Sequence, residues 1–138
     1  MKTYDVQTIE INAPFDRVFG YIADARKLPE WTNAFKSVSN GRAVMETPNG
    51  SVEIELAVQV ARSQGTIDWI MTFPDGSVAR AYSRVVAADK ERSLYSFILM
   101  APPVPLEQLE GALEAQSHIL REELAKLGAI LRSGVSVA

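Results

Sequence analysis

The chain predicts an α+β fold, a curved antiparallel sheet of about six to seven strands wrapped around a long C-terminal helix, with two short helices after the first strand. Three observations predict it. A β-branched opening segment gives way to apolar residues at helical spacing. Period-two segments then follow one another across turns too short for a crossover, so neighbouring strands must run antiparallel. The chain then carries a leucine stripe at helical spacing: Leu106, Leu109, Leu113, Leu120, Leu124, Leu127 and Leu131.

The elements follow in order. Thr3 to Asn12 reads as a strand with Ile9 and Ile11 on one face. Pro14 suits a first helical turn, Asp16 suits the positive end of the dipole, and Asn12 or Ala13 is the expected cap. Phe15, Val18, Phe19 and Ile22 mark the buried face of that helix. Asp24 can cap a second short helical turn, expected to end at Leu28-Pro29-Glu30-Trp31 because a residue before proline avoids the helical region. From Phe35 the period becomes two. It is clearest where Val52, Ile54, Leu56, Val58 and Val60 alternate with Glu53, Glu55, Ala57 and Gln59. Turn chemistry falls at Asn40-Gly41, Pro48-Asn49-Gly50, Ser63-Gln64-Gly65, Pro74-Asp75-Gly76 and Asp89-Lys90-Glu91. Pro102-Pro103-Val104-Pro105 stops the sheet and hands over to a helix spanning 105 to 132. The whole chain, 1–138, reads as one domain.

Parity then locates a candidate site. Ile67, Trp69, Met71 and Phe73 share one strand face, which should turn inward and leave Asp68 outside. In the next strand Arg80, Tyr82 and Arg84 share one face, and Ala79, Ala81, Ser83 and Val85 the other. Arginines turned outward would meet Asp68, Glu53 and Glu55 as cross-strand opposite charges. The reverse parity would line the interior with Arg80, Tyr82 and Arg84 and suit an anionic or oxygen-rich ligand. With the arginines outside, the inward face is small and stands opposite a polar gap in the leucine stripe, Gln116 and Ser117. Small residues against a polar notch leave volume that a solid core would fill. The expected site is an apolar chamber walled by Trp69, Met71, Phe73, Tyr95 and Phe97, with Gln116, Ser117, Tyr95 and Ser83 setting orientation. On this reading Ser83→Leu abolishes binding without unfolding the protein. The plainer alternative is that Gln116 and Ser117 bond backbone or a buried water, with no ligand.

Composition bounds the rest. A net charge of −3 supplies no basic patch, so nucleic acid is not an expected partner. The absence of cysteine removes disulfides, thiolate nucleophiles and Cys-ligated metals. No run approaches the roughly 18 apolar residues of a membrane span, so stable membrane insertion is not expected and a cytoplasmic location is. The single histidine, His118, lies roughly 150° around the helix from the leucine stripe and should face solvent. That disfavours a metal site and a Ser-His-Asp site alike. The glycines are scattered through turns rather than gathered in a phosphate loop. Glu53 and Glu55 read as a solvated face. No cofactor or metal is expected and no catalytic motif is found; were the chain an enzyme, Tyr95, Gln116 and Ser117 would polarise a carbonyl or order water. Dimerisation is left open, and Ile70 and Tyr82 are the outward apolar residues noted on the sheet.

The segment Ile9-Glu-Ile-Asn-Ala-Pro-Phe-Asp-Arg-Val-Phe-Gly-Tyr-Ile-Ala-Asp24, followed by Leu28-Pro-Glu-Trp31, resembles the opening of the START/birch-allergen-like helix-grip superfamily (SRPBCC). Within it the chain is most similar to the polyketide cyclase/dehydrase-like group. The resemblance spans nearly the whole chain, and its specific signals, Ala13-Pro14 with Val18-Phe19 and Trp31 after Pro29, belong to the scaffold. It implies a sheet gripping the C-terminal helix over a hydrophobic cavity, with Trp31 closing one end of the core. It implies a small hydrophobic ligand such as a lipid, aromatic or polyketide-like molecule, or a cyclase or dehydratase acting in the same cavity. Some members, the Hsp90-activator-like proteins, bind proteins instead. Fold does not choose among these.

Overall fold

The computed structural model describes residues 3–47, 50–101 and 106–136, with side chains described for all of these except 47, 106–111 and 133–136. The elements are β1 (Tyr4–Ile11), α1 (Phe15–Ala23), a 3₁₀ turn (Ala25–Lys27), α2 (Leu28–Trp31), β2 (Phe35–Ser39), β3 (Arg42–Thr47), β4 (Gly50–Ala61), β5 (Thr66–Thr72), β6 (Val78–Ala87), β7 (Ser93–Met100) and α3 (Leu106–Ser136). All strands join one seven-stranded antiparallel sheet in the order β1-β7-β6-β5-β4-β3-β2. The fold is therefore the expected helix-grip arrangement. The Pro48-Asn49 turn and the Pro102–Pro105 stop lie outside the described residues, as do the side chains of Leu106 and Leu109.

Local chemistry explains the turns. Asn40 and Gly41 take φ of 52° and 77°, and Gly76 takes 88°, conformations that glycine reaches without strain and asparagine tolerates. Two cap expectations change. Pro14, at φ −71° and ψ 158°, is itself the N-cap of α1, and no side chain caps it, so Asn12 and Ala13 do not serve. Pro29 opens a helical turn instead of ending one. Leu28 is helical at φ −51° and ψ −42°, and the proline sits in the first turn of α2, where its missing N–H costs nothing. Asp24 does cap, accepting from the Arg26 N–H at 3.1 Å.

α1 buries Val18, Phe19 and Ile22. Trp31 is 2% exposed and belongs to the core. From α3, Leu120, Leu124, Leu127 and Leu131 are buried against the concave side of the sheet in one core with Ile11, Val85 and Tyr95, and Leu113 is buried as well. The helix lies over β1. Gln7 Nε2 donates to the Ser117 carbonyl at 2.8 Å, and Gly128 passes so close that an added Cβ would sit 3.8 Å from Ile9 Cδ1. Among the described residues, no helix is long and apolar enough to cross a membrane.

Two surface expectations are corrected. Glu53 and Glu55 are exposed as expected, but their partner is Arg42 of β3, at 2.6 and 3.9 Å, not Arg80 or Arg84. β3 is the neighbour of β4 on that side, and Arg42 stands opposite Glu55 in register. Nor is the outer face of the sheet free of apolar side chains. Tyr4, Val6, Ile98 and Met100 are each exposed there. Register places Tyr4 opposite Met100, and Val6 and Tyr82 on either side of Ile98. Both parities of β7 are apolar, which alternation alone does not reveal.

Candidate functional site in the concave face of the sheet

Register assembles the concave face row by row. Ile9, Tyr95 and Val85 form one row; Gln7, Phe97, Ser83, Ile67 and Val60 the next; then Asp5 with Leu99, and Ala81, Trp69 and Val58; then Ala79, Met71 and Leu56. Packing changes along these rows. Tyr95, Val85 and Ile67 are at most 1% exposed beneath the C-terminal half of α3. Towards the N-terminal half of α3, Leu99, Ala79, Ala81, Met71, Phe73 and Val58 are only half-buried although their parity is inward. The sheet is thus solid around Tyr95, Val85 and Ile67 and leaves an open apolar groove around Leu99, Met71, Phe73 and Val58. Val60, in the Ile67 row, is nonetheless 52% exposed, and Leu56, beside Met71, is buried.

The eight residues singled out from the sequence fall along this gradient. Trp69 and Phe97 stack with ring centroids 5.9 Å apart, and Tyr95 meets Phe97 edge-on at 6.4 Å. Both Trp69 and Phe97 are buried, forming the groove floor. Met71 and Phe73 are half-buried and line it. Ser83 is 5% exposed and its hydroxyl donates to the Ile67 carbonyl at 2.6 Å, so it is structurally committed. Tyr95 is fully buried, and burial pushes its phenol well above the ordinary range. Ser83 lies beside the Tyr95 hydroxyl and moderates that shift, yet the oxygen makes no hydrogen bond of good geometry. The Trp69 indole N–H is likewise buried without a partner. The two donors lie on the same face of the sheet.

Gln116 and Ser117 lie about 50° to either side of the buried leucine line. Gln116 is exposed, at the open margin of the groove and not in a sealed notch. Ser117 is half-buried, and the contact it makes is through its carbonyl, to Gln7. Two surface hollows, of about 630 and 380 Å³, lie on the outward side of α3 and on the outer face around Gly41, not between sheet and helix.

Arg80, Tyr82 and Arg84 take the outward parity, opposite Ile70, Asp68 and Thr66. Arg84 Nε donates to the Gln64 carbonyl at 2.9 Å. The Asp68 carboxylate accepts from the Ser83 N–H at 3.4 Å. His118 is exposed, 3.1 Å from Glu122. Among the described residues, no cluster of acids and histidine could hold a metal. Glu123 takes the opposite flank of α3, accepting the Asn33 N–H at 2.7 Å, and partial burial raises its pKa.

Sequence reasoning passed over Asp5 and Gln7. Both are half-buried on the concave face, where Gln7 Nε2 bridges Asp5 Oδ2 at 2.9 Å and the α3 backbone. Their odd parity, shared with Ile9 and Ile11, was the available signal. A polar pair at the inward positions of an otherwise apolar strand marks the groove's polar end.

No protein-family profile matches the chain, and no curated protein is significantly similar to it in sequence. Solved structures do match its shape. A START superfamily protein from Mycobacterium smegmatis superposes with a TM-score of 0.64 at 14% identity, over 93% of this chain and 98% of the other. The Zhui aromatase/cyclase from Streptomyces sp. R1128 gives 0.61 at 14% identity, over 94% and 92%. The XoxI protein from Bacillus cereus gives 0.70 at 14% identity, over 94% and 96%. At such identities the likeness is one of fold.

Proposed function

From the helix-grip fold that this chain shares with START-like and aromatase/cyclase proteins, we propose that it binds a small hydrophobic or amphipathic molecule, lipid, aromatic or polyketide-like, between the sheet and the C-terminal helix. The observation that carries this reading is the burial gradient. Leu99, Met71, Phe73 and Val58 point into the fold yet keep apolar surface open to solvent, next to the small Ala79 and Ala81. Apolar surface left on an inward face is worth about 25 cal/mol per Å² to whatever covers it. Native mass spectrometry of freshly purified protein, with analysis of its organic extract, is the test. A stoichiometric small molecule lost on denaturation, and absent from Ala81→Leu, supports the reading. Ala81 is the place to fill the groove, because Ser83 is packed and bonded. A carried molecule retained unchanged in Ala81→Leu places the site elsewhere.

A second reading, a cyclase or dehydratase working in the same groove, draws on the buried Trp69 N–H and Tyr95 O–H, donors suited to a carbonyl oxygen. It requires turnover. Binding without conversion across carbonyl-rich substrates removes it. A third reading, a protein-interaction module, draws on the outward row of Tyr4, Val6, Ile98 and Met100. Light scattering on the wild type and Ile98→Lys tests whether a second copy covers that row. A concentration-independent monomer in both excludes the dimer.

A further inference from the structure

We propose that the outer face of β1, β7, β6 and β5 docks a second copy of this chain, with Arg80 of each copy set against Asp68 of the other. The inference is independent of the ligand-binding reading; it rests on the protein-interaction reading and adds the register of the two copies. Two neighbouring rows on that face carry it. One runs Tyr4, Met100, Arg80, Ile70, and the next Val6, Ile98, Tyr82, Asp68. Tyr4, Val6, Ile98 and Met100 are exposed, and Tyr82 and Ile70 are half-buried, so six apolar or aromatic side chains form one patch open to water. A contiguous apolar patch edged by polar groups marks a docking surface. One cation and one anion stand in it. Among the described residues, Arg80 makes no hydrogen bond or ion pair, and Asp68 makes no ion pair and accepts the Ser83 N–H at 3.4 Å. Within one copy the two lie on a diagonal, Arg80 opposite Ile70 and Asp68 opposite Tyr82.

The order of the rows makes a second copy the occupant that fits. A two-fold axis lying across the strands, midway between the rows, turns the second copy over and sets each row against the other. Tyr4 then meets the partner's Val6, and Met100 the partner's Ile98. Arg80 comes over the ring of the partner's Tyr82, a favourable place for a guanidinium. The partner's Asp68 is the next residue in that row, one strand spacing of about 4.8 Å away and within reach of the arginine. The axis repeats the contact, so the Arg80–Asp68 pair forms twice and each charge in the patch meets its opposite. An anionic surface finds no surplus of cations there, since Arg80 and Asp68 cancel and the chain carries a net charge of −3. Two rows are a small interface, so the association is weak and reversible, in the micromolar range or above.

Sedimentation velocity on the full chain, from about 1 to about 500 µM, spans the range of so small an interface. The wild type should pass from monomer to dimer across it, and Ile98→Lys should stay monomeric. Arg80→Asp should weaken the dimer about ten-fold, because one substitution is felt at both symmetric pairs. The double variant Asp68→Arg with Arg80→Asp exchanges the charges and should regain most of that loss, which a merely damaged fold would not do. Circular dichroism checks the fold of each variant, and Ala81→Leu, on the opposite face of the sheet, should dimerise as the wild type does. A dimer that Ile98→Lys abolishes but Arg80→Asp leaves unchanged, or that the exchange fails to restore, overturns the inference and leaves the protein-interaction reading standing. A monomer at every concentration overturns the inference and removes the second copy from that reading as well. If that monomer co-sediments with vesicles of phosphatidylcholine and phosphatidylglycerol while Ile98→Lys does not, the face belongs to a membrane contact and the inference is overturned.

Discussion

Replacing Gly65 by alanine tests how the groove floor is held. Gly65 precedes β5, is buried, and takes φ +76°. An added Cβ would lie 2.1 Å from the Val85 carbonyl oxygen and 3.4 Å from Phe15 Cε2. The oxygen belongs to the backbone of β6, which is paired with β5 on one side and β7 on the other, so it cannot move aside cheaply. The left-handed conformation costs an alanine about 1–2 kcal/mol. Opening the contact also disturbs the bond from the Val85 N–H to the Gly65 carbonyl, 2.8 Å long, and a buried group left unpaired costs about 1–3 kcal/mol. The sum is about 2–5 kcal/mol, which for a chain of this size lowers Tm by about 8–20 °C. Gly76→Ala is the control. Its φ is +88° with nothing within 4 Å of the added Cβ, so it carries the conformational cost alone, about 1–2 kcal/mol. Urea unfolding followed by the fluorescence of Trp31 and Trp69 measures both variants. If the two differ by less than about 1 kcal/mol, the steric argument for Gly65 is wrong.

Four further outcomes are expected. Tyr95→Phe removes a buried hydroxyl without a partner and should leave stability unchanged or raise it by about 1 kcal/mol in chemical denaturation; a comparable loss would mean that Ser83 does bond it. Ser83→Leu should destabilise by more than about 2 kcal/mol through overpacking and the lost bond to Ile67, whereas Ala81→Leu should stay within about 1.5 kcal/mol of wild type, by the same assay. Leu127→Ala, at a position with no exposure, should cost about 2–5 kcal/mol. Glu123 is the pH-dependent case. Its folded pKa is raised by burial, so its contribution to stability is fully present below the unfolded carboxylate pKa and is lost as pH rises through the folded value. Glu123→Gln, which keeps an oxygen for the Asn33 N–H, should therefore have a higher Tm than wild type at pH 7, with the gain disappearing at acid pH; a gain independent of pH would show that the charge is not its cause.

Much of this architecture is local in origin, and the sequence by itself determined it. Alternation in Val52–Val60 set the buried face of β4, and glycine and asparagine at positive-φ positions set the turns. The leucine spacing set the face of α3 that meets the sheet, and parity alone turned Arg80 and Arg84 outward and Ala79 and Ala81 inward. Each of these is decided within a few residues by steric and hydrophobic periodicity. Only the tertiary structure decided which inward positions are filled and which stay open. Ser83 and Ala81 are equivalent in pattern, yet one is sealed by a bond to Ile67 and the other borders a groove. The partner of Glu53, the outward apolar row on β1 and β7, and the bridge from Gln7 to Ser117, 110 residues away, likewise depend on which strands and helix become neighbours. Periodicity fixes the direction of a side chain. Its burial and its bonds depend on what the rest of the chain brings to that place.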